Sequence, residues 1–204
     1  MFKVFCLFLI CFFAGFSANA NDCLSYKLKP KITVNTPDFT KQVISSEQPM
    51  DLLHGNVEAT MITNYDIIAD VISVDDGYCV ALKSVDATIG YNDFLVQIDG
   101  RHGQLSCSYN AILSHENKHI NTYLGVVQDY QQELHDFVSS AADSIMPIFI
   151  KDKESADDAM IKLNQELQLH PDIVLVIQKI HADEEIKNKH IDDIEDNSEL
   201  KKCL

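Results

Sequence analysis

The hydrophobic pattern changes period once along the chain, near residue 100. Before that point apolar positions alternate or cluster in short β-branched runs. Lys31–Thr36 alternates, Ala59–Ile68 is rich in β-branched and aromatic residues, and Tyr78–Ile89 and Phe94–Ile98 make two further runs. Such runs bounded by turn residues predict strands. Asp75-Asp76-Gly77 predicts one turn and Gly90-Tyr91-Asn92-Asp93 a second, suited to a hairpin. The expectation is a small antiparallel sheet of about three to five strands. Asp99-Gly100-Arg101-His102-Gly103 then ends the strand pattern.

From about Ser108 the period becomes helical. Leu113, Ile120, Val127, Leu134 and Ala141 recur every seventh position, with Tyr109, Tyr123, Tyr130 and Phe137 on the adjacent track. No proline interrupts this stripe before Pro147, so one long helix is expected, with its turn around Ile148–Lys151. A returning helical segment runs from about Ser155 to Ile194, with Pro171 as a kink or break. The fold class expected is therefore α+β: strands over 31–99, helices over 108–195, then a charged tail, all in a single domain spanning 21–204.

Residues 1–20 read differently. Lys3, an apolar run from Val4 to Phe16 and the small residues Ala18 and Ala20 have the form of a secretory signal peptide cut after Ala20. The run is too short to span a bilayer, so no stable membrane insertion is expected once it is removed. Four cysteines follow: Cys23, Cys79, Cys107 and Cys203. An even count in an exported chain favours two disulfides, and periplasmic or secreted localisation is the expectation. The formal charge of −15, from 16 basic and 31 acidic residues, argues against nucleic acid as a partner.

One constellation carries chemistry. His115-Glu116-Asn117-Lys118-His119 is an H-E-x-x-H pattern inside the expected helix. Two histidines four residues apart share a helix face, so both imidazoles can reach one ion, and the Glu beside the first can take a proton from a water held there. A chain of this composition would produce the pattern by chance about 0.015 times. Glu116 also falls within the apolar stripe, where simple core packing does not explain a carboxylate. The expected cofactor is Zn²⁺, with His115 and His119 as metal ligands and Glu116 as the catalytic base.

The segments Gly77-Tyr78-Cys79, Val85–Tyr91 and Ser106–His119 resemble the bacterial predicted secreted zinc-dependent proteases. The resemblance spans about residues 31–140, with a weaker echo at Ile191-Asp192 and Cys203. It implies a zincin-like metallopeptidase acting on a peptide or protein substrate. It also implies that a strand before the helix, Phe94–Ile98, could hold that substrate in extended form. The chain departs from common zincin patterns at Lys118, where an uncharged residue is usual. Thr122 and Gly125 exclude the longer metzincin motif.

The third ligand has no motif. If the helices form an antiparallel hairpin turning near residue 150, residue 117 lies level with about residue 183. The candidates are then His181, Glu184, Glu185, His190 and Asp192, with His170 shallower. The same hairpin sets Cys107 near Cys203, leaving Cys23 with Cys79; the alternative Cys79–Cys107 bridge would tie the sheet to the helix. His54 and His102 read as exposed loop residues, and the tyrosines of the stripe as core. A second functional reading keeps the metal without turnover: a catalytically inactive zincin-like binding module.

Overall fold

A computed structural model describes residues 23–47, 54–195 and 200–203. The expected signal peptide lies outside these residues. A mixed sheet of five strands carries four helices. The strands are β1 (Lys31–Asn35), β2 (Thr40–Ser46), β3 (Gly55–Val74), β4 (Gly77–Asp99) and β5 (Ile148–Ile150). The helices are α1 (Cys107–Asp129), α2 (Gln131–Ser144), α3 (Ala156–Gln168) and α4 (Pro171–Glu195).

The sheet is not the antiparallel one the sequence suggested. β3 and β5 run antiparallel to β4, but β1 and β2 run parallel to it. The register continues unbroken from Lys31↔Ser84 to Thr40↔Asp93, so β1 and β2 form one extended pass along a single edge of β4. Pro37 separates them, and a residue without an N–H cannot donate to the ladder. The opposite edge of β4 is taken by β3 along nearly its whole length, and the Asp75–Asp76 turn joins the two as expected.

The second expected turn is instead a bulge inside β4. Thr60 pairs with Asp93 and Met61 with Tyr91, leaving Asn92 extra; a second shift leaves Lys83 extra. Each extra residue flips the side-chain alternation. The core-facing set therefore reads Val80 and Leu82, then Val85, Ala87, Ile89 and Tyr91, then Phe94, Val96 and Ile98, all buried in one core. Gly90 takes φ +147°, and a Cβ there would lie 3.0 Å from Pro37 Cδ. Turn chemistry at 90–93 is thus spent on bending a long strand past a neighbouring loop.

The long helix is two helices. Tyr130, at φ −89° and ψ 0°, separates α1 from α2 with no proline or glycine to signal it. Ile148–Lys151, expected as a turn, contains β5, which pairs with Tyr78–Val80. Pro171 does divide the returning segment, standing at the first position of α4, where its missing N–H costs nothing. Tyr130 donates to Asp183, and Lys179 pairs with Glu133, so α4 runs antiparallel against α1 and α2. Disulfides join Cys23 to Cys79 and Cys107 to Cys203, each with Cα atoms 5.5 Å apart. The second fastens the segment beyond α4 to the first residue of α1.

Candidate metal centre

Ser106 caps α1, its hydroxyl accepting from the Tyr109 N–H at 3.1 Å. The helix then carries His115 and His119 on one face, their Nε2 atoms 3.1 Å apart and their rings at 75°. From α4, Asp192 Oδ1 comes to 3.3 Å from His115 Nε2 and 3.1 Å from His119 Nε2. These three groups could hold a metal ion. A tetrahedral ion with bonds of about 2.0–2.1 Å separates its ligand atoms by about 3.3–3.4 Å, so the three donors already approximate one face of such a site. The trio lines a cleft of about 170 Å³ together with Gly55, Asn56, Val57, Glu116, Tyr123 and Asn188.

Glu116 sits under this cleft with only 4% of its surface exposed. Burial pushes its carboxyl up to about 7, opposed by nearby His119 and reinforced by Asp192. The room for it comes from Gly55 at the start of β3, where a Cβ would meet Glu116 Oε1 at 2.5 Å and Ile112 Cγ2 at 2.6 Å. Gly55→Ala is therefore expected to cost about 1–3 kcal/mol by overpacking and to displace the carboxylate. A denaturation midpoint equal to wild type would refute this close approach of β3 to α1.

The structure separates the third-ligand candidates. Asp192 joins the histidines. Glu184 is buried two turns away, accepting from the Tyr91 hydroxyl at 2.7 Å and lying 3.2 Å from His181 Nδ1. Glu185 shares Asp192's side of α4 but lies about 10 Å earlier along the axis. His190 is about 200° round the helix from Asp192 and exposed. His170 precedes α4 and bonds Ser144 at 3.0 Å. The expected depth match was wrong by about two turns, because β5 and α3 lengthen the return: His119 stands level with Asn188, where the expected hairpin would have set it level with residue 181.

Two further readings change. Tyr123 lines the cleft one turn beyond His119 while its ring packs at a tilt against that of Tyr91, centroids 5.0 Å apart, so it is not only core. His54 and His102 are not isolated: both are half-buried, with Nδ1 of the first 3.2 Å from Nε2 of the second. Asn188 had no sequence signal, since a lone asparagine in a charged helix belongs to no motif. Compared with family models, curated proteins and solved structures, the chain matches none.

Proposed function

We propose that the protein is an exported zinc-dependent peptidase of zincin-like design. The observation that carries this reading is the meeting of His115, His119 and Asp192 at donor spacings suited to a tetrahedral ion, with a buried carboxylate, Glu116, in the same cleft. Two nitrogens and one carboxylate oxygen, with an open fourth position, is the donor set of catalytic rather than structural zinc. Zn²⁺ held there would polarise a peptide carbonyl and acidify a water molecule. Glu116 then takes a proton at its carboxylate and returns it to the departing amine.

Substrate placement differs from the first expectation. Phe94–Ile98 lies inside β4 with β2 on one side and β3 on the other, so it has no free edge. The start of β3 suits the role better. Among the described residues β3 pairs only with β4, and Gly55, Asn56 and Val57 line the cleft. An extended peptide added along this edge would bring its carbonyl past Glu116. Two disulfides point to an oxidising compartment, in keeping with a cleaved leader over residues 1–20. No helix among the described residues is long and apolar enough to cross a membrane.

Elemental mass spectrometry of the oxidised protein tests the metal. About one zinc per chain is expected after loading and dialysis, with almost none in His119→Ala. Hydrolysis of a mixed quenched-fluorescent peptide pool should vanish on chelation and return with zinc. Absence of zinc in the wild type would end the proposal; zinc without turnover would leave a metal-holding binding module.

A further inference from the structure

Asn188 stands one turn before Asp192 on α4, and its Oδ1 lies 2.9 Å from His119 Nδ1. His119 Nε2 faces His115 and Asp192. An imidazole that gives its Nε2 lone pair to a metal carries its proton on Nδ1, and the amide oxygen of Asn188 can only accept that proton. We propose that Asn188 is a positioning residue of the metal site, holding His119 in the binding tautomer and fixing its ring. The inference rests on the metal reading above and deepens it.

The arrangement is reciprocal between two helices. α1 supplies His115 and His119 four residues apart; α4 supplies Asn188 and Asp192 at the same spacing. One turn of α4 therefore provides both a direct ligand and the group that aims a ligand of α1. The Nδ1 hydrogen bond also makes the ring more electron-rich, which strengthens its hold on the ion.

The test is zinc affinity, read by competition with a chelating dye on the oxidised full chain. Asn188→Leu, close in volume but without an acceptor, should bind zinc about 10–100-fold more weakly. Asn188→Asp should stay near wild type, since a carboxylate accepts the same hydrogen bond. The visible spectrum of the Co²⁺-substituted protein should shift in the leucine variant and not in the aspartate one. Equal affinity in the wild type and Asn188→Leu overturns the proposal. So does a loss shared equally by both variants and matched by lower melting of the metal-free protein, which would mark a packing role. A wild type that binds no zinc defeats the metal reading itself and Asn188's role with it. A bound wild type with an indifferent Asn188→Leu defeats only the role of Asn188.

Discussion

Glu116→Gln is expected to slow peptide hydrolysis by about 10²–10⁴-fold, the usual contribution of a positioned proton carrier, while zinc content stays at wild-type level. The amide has the shape of the acid and fits the space beside Gly55 and Ile112, so the fold should be kept. What it lacks is a site for the proton. Glu116 is not among the three groups whose donor atoms converge, so its loss should leave them in place. His119→Ala makes the contrast, losing metal and turnover together. The paired readout is zinc per chain beside initial rate on one peptide pool. A Glu116→Gln variant with full activity would show that water is activated elsewhere. One that loses its zinc would place Glu116 among the ligands and remove it from proton transfer.

The second large effect belongs to Cys107–Cys203. The bridge closes a separation of 96 residues, and cross-linking a loop of that size restricts the unfolded chain by about 4–5 kcal/mol. Its placement gives it a further task. Cys107 begins α1 and stands two turns before His115; Cys203 follows the helix that carries Asp192. The Asp192 side chain is 55% exposed, and the covalent tie is expected to help keep it opposite the histidines. Cys107→Ser/Cys203→Ser is expected to lower stability by about that amount and to weaken zinc binding at least about tenfold, as the third ligand becomes intermittent. Serine variants avoid thiol reductants, which would compete for the metal. Unchanged zinc affinity alongside lowered stability would show that α4 docks unaided.

How much of this was legible follows from the range of each signal. The His115–His119 pair is local, fixed by helical periodicity, and the structure places both side chains as that periodicity requires. Both disulfide pairings follow from α1 and the segment beyond α4 lying side by side. Asp192 was within reach only as one of five candidates. Its selection depends on β5 and α3, whose three and thirteen residues displace the return. Strand direction was misread because alternation has the same period in parallel and antiparallel ladders. Gly90–Asp93 was misread because a bulge and a hairpin turn use the same residues. Tyr130 divides α1 from α2 through its own backbone angles and its bond to Asp183, and neither is a compositional signal.

The centre is divided between two helices, and 77 residues of chain separate His115 from Asp192. During synthesis the histidine pair therefore exists long before its partner. An ion met in that interval would find the two imidazoles without Asp192, so it would be held loosely and could leave. The three donors converge once α4 lies against α1, an arrangement that the Cys107–Cys203 bridge fastens. On the proposed reading, metal capture would thus come late in the life of the chain. On that reading the divided centre would work as a clock, with peptide cleavage waiting until the two helices of the chain have come together.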